Sequence, residues 1–392
     1  MRFLLIGCLL LFSQFSFGQL QSSEPKTDLD SAQQLMGQFQ YGQAIQVLAS
    51  TTPDSAEATQ HYYLLGQCYS QTGDLLNAVV SLQQAVAADS IHQPAVALLG
   101  QVHSQRQNYS QAATAYTYLL RLDSTNAFYA RQMAFVQKQL DNIDAAIMHY
   151  ELALSLSPND ADSRAELALL QLKINEAGNA RALSLAGLKL DSTNIRLLRT
   201  LARSAYQLKE YEQTSETIEK LLVLGDSSAY PLQLLGIAYF HQNNFQDAIT
   251  YLEKAKNAGA QSEALYYYLG LSYRNNGQIA IGLSYLQEAT EHAVSANLSH
   301  YYTQIAATFE EQGNYPEAIK AYKVAYQDSG EELLLYHLAR TYEKYYKDKK
   351  VALRYYEKFL AETDTTNRDY QDYARYKVSS LKEAMFMELD SL

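Results

Sequence analysis

Three arginines in the middle of the chain have a spacing that places them on one side of a helix. Arg196, Arg199 and Arg203 are separated by three and four residues, and side chains at these steps are neighbours on a helix surface. A guanidinium group binds a carboxylate through two parallel hydrogen bonds. The cluster therefore predicts a site for an acidic segment or a C-terminal carboxylate. The alternative interpretation is a solvated helix face whose arginines pair with nearby acids such as Asp191.

Motifs for catalysis are missing from the sequence. The eight histidines form no HExxH pair, and there is no GxSxG, no phosphate-binding glycine loop and no CxxC. Residues 379–382 read Ser-Ser-Leu-Lys and match SxxK, but they fall in the last predicted helix and are interpreted as a chance match. The sequence therefore predicts a protein that is not an enzyme and that uses no cofactor or metal.

A repeat of 34 residues organises the chain. One series of small residues consists of Gly66, Gly100, Ala134, Ala168, Ala202, Gly236 and Gly270. A second series, 12 residues further on in each unit, consists of Ala78, Ala112, Ala146, Ala180, Thr214, Ala248 and Gly282. Apolar residues recur around both series at steps of three and four, which predicts two amphipathic helices per unit. Small residues let the two backbones approach while a large neighbour fills the remaining space.

The turns have the same period as the helices. The position seven residues after the Gly66 site holds Gly, Asn or Asp in five units, and these types tolerate a left-handed backbone. Gln107 and Lys209 are the exceptions. Between units, residues 123–126 and 191–194 both read Asp-Ser-Thr-Asn, and residues 157–160 read Ser-Pro-Asn-Asp. These side chains are predicted to cap the following helices.

The pattern resembles the tetratricopeptide repeat family over most of the chain. The resemblance implies an all-α fold, a right-handed superhelical solenoid of about ten helix-turn-helix repeats with a C-terminal capping helix. The corresponding domains are a signal peptide at 1–18, a flexible lead-in at 19–28, the repeats at 29–365 and the capping helix at 366–392. The apolar face expected on the capping helix consists of Tyr373, Tyr376, Leu381 and Met385.

The resemblance also implies where a partner binds. In this family the first helix of each repeat lines a concave groove, and one stripe of positions along it faces the ligand. On this basis the predicted peptide-binding residues are Arg131, Lys138, Lys173, Arg196, Arg199, Arg203, Tyr206, Tyr230, Phe240, Tyr267 and Arg274. The family's clamp of Lys and Asn for carboxylates is not reproduced, so chaperone tails are not implied as ligands. Arg199→Glu is expected to weaken binding and to leave the melting temperature nearly unchanged.

Residues 1–18 resemble a secretory signal peptide. They contain one positive charge at Arg2, an apolar run, and the small residues Ser16 and Gly18 before a cleavage site at Gln19. The run before Cys8 is too short for a lipoprotein signal, so lipidation is not expected. The protein is therefore predicted to be exported, to the periplasm or the cell envelope. Without Cys8 the protein has a single cysteine, Cys68, and hence no internal disulfide.

Charge and composition exclude some classes of ligand and leave two hypotheses for the function. A net charge of −11 argues against binding to nucleic acid or to anionic membranes. The first hypothesis is a non-catalytic interaction scaffold of the bacterial cell envelope, which binds a protein or peptide partner in the groove and associates with an envelope or outer-membrane complex. The alternative hypothesis is an assembly subunit that forms homo-oligomers through its ends or its convex surface, for which the 33 tyrosines supply contact area.

Overall fold

The computed structural model describes residues 27–293, 296–363 and 368–390, and every regular element within these ranges is an α-helix. The helices belong to two compact units, the first ending at Pro158 and the second beginning at Asn159. No helix in the described ranges combines the length and the apolar character needed to cross a bilayer. The predicted signal peptide, the lead-in up to residue 26 and Cys8 lie outside these ranges.

The first unit contains four helix pairs. They are α1 (Asp28–Gly37) with α2 (Tyr41–Ala49), α3 (Ala58–Thr72) with α4 (Leu75–Ala88), α5 (Gln93–Gln105) with α6 (Tyr109–Leu122), and α7 (Ala127–Gln139) with α8 (Ile143–Leu156).

The second unit contains six helix pairs and one further helix. They are α9 (Ala161–Lys173) with α10 (Ala177–Leu188), α11 (Ile195–Gln207) with α12 (Tyr211–Val223), α13 (Ala229–His241) with α14 (Phe245–Asn257), α15 (Glu263–Asn275) with α16 (Ile279–Glu291), α17 (Leu298–Glu311) with α18 (Tyr315–Ser329), α19 (Leu333–Tyr345) with α20 (Lys350–Glu362), and finally α21 (Arg368–Asp390). The predicted all-α fold of about ten helix pairs with a final helix is confirmed.

The predicted caps begin three of the first helices. The side-chain oxygen of Asn126 accepts hydrogen bonds from the backbone N–H groups of Phe128 and Tyr129 at the start of α7. Asp160 caps α9 and Asn194 caps α11 in the same way. Each cap satisfies N–H groups that have no partner inside the helix, and such a cap typically contributes about 1 kcal/mol.

Contacts between the small and large positions hold each pair together. A Cβ atom added at Gly66 would lie 2.6 Å from Cγ of Leu82, and one added at Gly236 would lie 2.5 Å from Cγ of Leu252. Both leucines are fully buried. The leucine of the second helix therefore occupies the volume that a side chain on the first helix would need, which confirms the predicted alternation of small and large residues.

In the seven pairs from α3 with α4 to α15 with α16, one residue of the turn between the two helices has a left-handed backbone conformation, and this holds for several residue types. Positive φ angles occur at Gly73 (83°), Gln107 (61°), Asp141 (58°), Asn175 (63°), Lys209 (61°), Asn243 (62°) and Gly277 (82°). Gln107 and Lys209 looked exceptional in sequence, yet they adopt the same conformation as the glycines. The packing of the two helices thus imposes a conformation that L residues disfavour by about 1 kcal/mol.

Helix α21 packs against the end of the second unit, and fewer of its residues are buried there than the sequence predicted. Ala374 is fully buried and Leu381 is 8% exposed, in one cluster with residues of α19 and α20. The ring of Tyr370 lies 4.9 Å from that of Tyr336, centroid to centroid. Tyr376, expected on the packing face, is 66% exposed, so that part of the prediction was wrong.

Cys68 lies in the core of the first unit. Its side chain is fully buried on α3, against residues of α1 and α2 that include Ala32 and Leu48. Burial raises the pKa of the Cys68 thiol to about 11, because a thiolate is poorly solvated there. The residue therefore packs as a small apolar side chain.

Candidate functional site

A pocket of about 350 Å³ opens between α9, α11 and α13, the first helices of three successive pairs. One wall carries the three arginines of α11, and the opposite wall carries Tyr230. The apolar lining consists of Leu169, Ala202, Leu221, Pro231 and Leu234. Four of the eleven residues predicted from the sequence thus lie at one cavity, whose volume is in the range of small ligand pockets.

Arg196 is neutralised by the neighbouring helix. Its Nη1 lies 3.4 Å from Oδ1 of Asp162, and its Nη2 donates a hydrogen bond to Oε1 of Glu166. Both carboxylates belong to α9. Asp191, the partner that the sequence suggested, instead accepts hydrogen bonds from the backbone and hydroxyl of Thr193. Arg196 therefore pairs with nearby carboxylates, as the alternative interpretation expected, but these belong to Asp162 and Glu166 and not to Asp191.

Arg199 pairs with a buried carboxylate. Its Nε lies 2.7 Å from Oδ2 of Asp226, whose side chain is 6% exposed. The other carboxylate oxygen accepts a hydrogen bond of 2.7 Å from the hydroxyl of Ser228. The hydrogen bond from Arg199 lowers the pKa of Asp226 to about 2, against the opposite effect of burial. Arg199→Glu would place two carboxylates together, so an unchanged melting temperature no longer follows for that variant.

The turn after α12 positions Asp226. Gly225 has a φ of 89°, in the left-handed region, and the N–H of Asp226 donates to the carbonyl of Leu221. This reversal directs the carboxylate back toward α11. Asp226 was not among the predicted site residues, because all of these lie on the first helices of the repeats. The pair Gly-Asp directly after a predicted helix was the signal that could have found it.

Arg203 differs from its two neighbours. Within the described residues it forms no ion pair with a carboxylate, and its guanidinium carbon lies 5.9 Å above the centroid of the Tyr230 ring. Tyr230 is itself 51% exposed. The cation–π contact orients the guanidinium without neutralising it. Arg203 is therefore the arginine of this pocket whose charge is available to a ligand.

A row of aromatic rings continues from the pocket along α13 and α15. The ring centroids of Phe240 and Tyr268 are 5.2 Å apart, and Nε2 of His241 lies 3.2 Å from the hydroxyl of Tyr268. Tyr206 of α11 is half-buried beside them, and burial raises the pKa of its hydroxyl. Tyr206 and Phe240 were predicted as site residues. Tyr268 was missed because it lies outside the stripe of positions from which the site residues were predicted.

Arg274 and Tyr267 were predicted to face a ligand, but their polar groups form contacts with the neighbouring helix α17. The side chain of Arg274 is 19% exposed, with Nη2 3.0 Å from Oε1 of Glu311 and Nη1 3.2 Å from Oε1 of Gln304. The hydroxyl of Tyr267 lies 2.7 Å from Nε2 of His300, and burial raises its pKa to about 12. Both side chains therefore connect α15 to α17.

Three further predicted residues do not line this pocket. Arg131 and Lys138 belong to the first unit, where their charged groups lie 5.8 Å and 5.5 Å from the ring centroids of Phe128 and Phe135. Lys173 is exposed at the end of α9 in the second unit. Within the second unit, the structure brings Arg196, Arg199, Arg203 and Tyr230 together at one pocket.

Profiles of known families match the repeats directly. One tetratricopeptide repeat profile matches residues 60–92 and 132–160, and a second profile of the same repeat matches residues 199–263 and 267–332. These four stretches are tetratricopeptide repeats. The tetratricopeptide repeat generally mediates protein–protein interactions, and scaffolds of this kind are generally non-catalytic. No curated protein matches the whole sequence significantly.

Several solved protein structures match parts of this chain. A tetratricopeptide repeat protein from Parabacteroides merdae is 15% identical, with a TM-score of 0.45, over 64% of this chain and 99% of that chain. YrrB, described as having an unusual peptide-binding site, is 19% identical, with a TM-score of 0.43, over 49% of this chain and 97% of its own. The Cut9–Hcn1 structure is 14% identical, with a TM-score of 0.45, over 88% of this chain and 83% of that chain.

Proposed function

We propose that this tetratricopeptide repeat protein is a non-catalytic scaffold that binds a partner segment in the pocket between α9, α11 and α13. The observation that carries the proposal is the guanidinium of Arg203 at the mouth of an apolar cavity, where no carboxylate of the described residues pairs with it. A partner carboxylate at this position would form charge-assisted hydrogen bonds with the exposed guanidinium, while its neighbouring apolar side chain would cover the apolar lining of the cavity. The aromatic row from Tyr206 to Tyr268 extends the contact surface for the partner's apolar side chains.

The test is selection from a random peptide library with the purified protein. Arg203→Gln removes the charge and keeps most of the side-chain volume, and it is compared with Arg121→Gln on α6. Arg121 is also exposed and has no carboxylate partner among the described residues, so it is a matched control. The wild type and Arg121→Gln should enrich the same peptides, whereas Arg203→Gln should lose them. Recovery of no peptide above the background of the empty support would reject the proposal.

The proposed location is the bacterial cell envelope, in association with an envelope or outer-membrane complex. Support comes from the signal-like composition of residues 1–18, with Arg2 ahead of an apolar run. Fractionation of producing cells, followed by N-terminal sequencing, tests this. A mature protein beginning at Gln19 in the periplasmic or membrane fraction is expected. An uncleaved protein found only in the cytoplasm would contradict it.

A second candidate function is self-assembly through the second helices. A groove of about 700 Å³ lies between α10 and α12, and its apolar lining includes Leu185, Leu188 and Val223. Val223 is 88% exposed, which is unusual for a valine. Light scattering should then show association that rises with concentration and that Val223→Lys reduces. Leu190→Lys is the control, because Leu190 is exposed but does not line this groove.

A further inference from the structure

The three arginines of α11 do not contribute equally to the charge of the pocket. Arg196 faces two carboxylates of α9, and Arg199 faces Asp226. Arg203 faces the ring of Tyr230 and no carboxylate of the described residues. Of the three arginines in this row, Arg203 is therefore the one without a carboxylate partner in the part of the chain that the structure describes.

Asp226 binds the Nε side of the Arg199 guanidinium. Its Oδ2 lies 2.7 Å from Nε of Arg199, and its Oδ1 accepts from the hydroxyl of Ser228, so both oxygens are satisfied. The carboxylate is buried, and its lowered pKa of about 2 keeps it ionised across the physiological range. A second anion approaching Arg199 would meet this fixed negative charge at short range.

We infer that the pocket accepts a single carboxylate, bound by Arg203, with an adjacent apolar side chain inserted against Leu169, Pro231 and Leu234. Asp226 is the residue that limits the number of charges. The inference rests on the proposed function and adds the chemistry of the ligand to it. Tyr230 covers the guanidinium from one side, so the carboxylate approaches from the open side of the pocket.

The size and the apolar lining of the cavity favour an apolar side chain over an acidic tract. A cavity of about 350 Å³ holds one large apolar side chain and the carboxylate beside it. A phosphate group carries close to two negative charges near pH 7, of which Arg203 would neutralise one. The second would face Asp226 without a partner. The pocket should therefore discriminate against phosphorylated and polyacidic segments.

Two sources could supply a carboxylate next to an apolar side chain: the C-terminus of a partner, or an internal Asp or Glu. Two libraries of random heptapeptides separate them, one displayed with free C-termini and one displayed inside a loop. The wild type should enrich an aromatic or aliphatic residue beside one carboxylate, in one format or in both. Enriched peptides without any carboxylate preference would overturn the inference and still leave partner binding intact.

Direct affinities give the decisive comparison. The best peptide carrying one carboxylate is measured by fluorescence anisotropy, together with a version bearing a second acid and a version bearing phosphoserine. Arg203→Gln should weaken the first peptide about 10- to 100-fold, as expected for loss of a charge-assisted hydrogen bond. The second acid or the phosphate should not improve binding to the wild type. A tenfold tighter complex with either would show that Asp226 does not limit the charge.

Asp226→Asn tests the limiting residue itself. With Arg199 released, the pocket should favour the peptide with two acids about tenfold over the peptide with one. Circular dichroism checks that the variant is folded, and the wild-type comparison above stands independently if it is not. A folded variant with the wild-type preference would reject the assignment of Asp226. Failure of every library to yield peptides would instead reject the proposed function.

Discussion

Repeat six (α11 and α12) and repeat eight (α15 and α16) each have an arginine on the first helix, and the two arginines have different roles. On α11, Arg203 has a tyrosine ring for a neighbour and keeps its charge available. On α15, Arg274 is 19% exposed and is held by Glu311 and Gln304 of the next pair. Arg203 lies one residue after the first small residue of its repeat, Ala202, whereas Arg274 lies four residues after Gly270. Their different roles therefore follow both from position in the repeat and from the residues that the next helix pair presents.

The helix pairs behind these arginines differ as well. In repeat eight the second small position is Gly282, and an added Cβ would lie 2.7 Å from the carbonyl oxygen of Gly270 and 2.8 Å from the backbone nitrogen of Arg274. In repeat six the same position is Thr214, which is fully buried and donates to the carbonyl of Glu210. In repeat eight the backbones of the two helices are therefore in direct contact at this position, whereas in repeat six the side chain of Thr214 lies between them.

The largest predicted effect is on this backbone contact. Gly282→Ala should destabilise the protein by about 2–3 kcal/mol, because backbone atoms, unlike the end of a flexible side chain, do not move aside. Urea unfolding followed by circular dichroism measures the change. Gly178→Ala on α10 is the control, since nothing lies within 4 Å of its added Cβ, and it should be neutral or slightly stabilising. Equal effects of both variants would contradict the close approach in repeat eight.

The arginines themselves give the next largest effect. Arg274→Gln should cost about 1–2 kcal/mol of unfolding free energy, because a half-buried charged hydrogen bond to Glu311 is lost. Arg203→Gln should change stability by less than about 0.5 kcal/mol, since Arg203 has no carboxylate partner among the described residues. The same denaturation assay applies. Reversal of this order would remove the distinction between the two repeats.

Acid titration should reveal the ion pair of repeat six. The pKa of Asp226 is about 2 in the folded protein and about 3.9 in an unfolded chain, so the pair stabilises the fold above about pH 4. That contribution is lost as the pH falls from about 4 to 2. It should amount to about 1 kcal/mol, because Arg199 is half exposed and solvent screens the pair.

Melting temperatures of the wild type and Asp226→Asn between pH 6 and 2.5 measure this contribution. The difference between the two proteins should shrink as the pH falls. A difference that stays constant over this range would show that Asp226 acts through packing and not through its charge.

The smallest predicted effect concerns the turns of the two repeats. Lys209 has a φ of 61° where repeat eight has Gly277 at 82°. Lys209→Gly should stabilise the protein by about 0.5 kcal/mol, because relief of the left-handed strain exceeds the entropy cost of glycine. Gly277→Ala should destabilise it by about 1 kcal/mol for the same reason. Thermal unfolding of both variants checks the signs, and equal signs would mean that the turns are not equivalent.

Local patterns predicted most of the fold. The 34-residue period, the caps at Asn126 and Asn194 and the fit of Gly66 against Leu82 all follow from residue size and hydrogen bonding within one repeat. The left-handed Lys209 did not follow, because helix packing overrode the preference of its residue type.

The candidate site was predictable only in part. The spacing of Arg196, Arg199 and Arg203 identified the helix face, but the charge left on it depends on contacts between repeats. Asp226 lies 27 residues after Arg199, in a turn outside the periodic positions. Such a pairing becomes visible only when the helices are assembled in space.

The burial of Cys68 makes the protein convenient to study by site-specific chemistry. Its thiol is fully buried, and with a pKa of about 11 it stays protonated at neutral pH, so it should react slowly with maleimides and other thiol reagents. Tyr230→Cys would introduce the one accessible thiol of the described residues at the mouth of the pocket. A fluorescent label there would report occupancy of the pocket in real time without removal of the native cysteine.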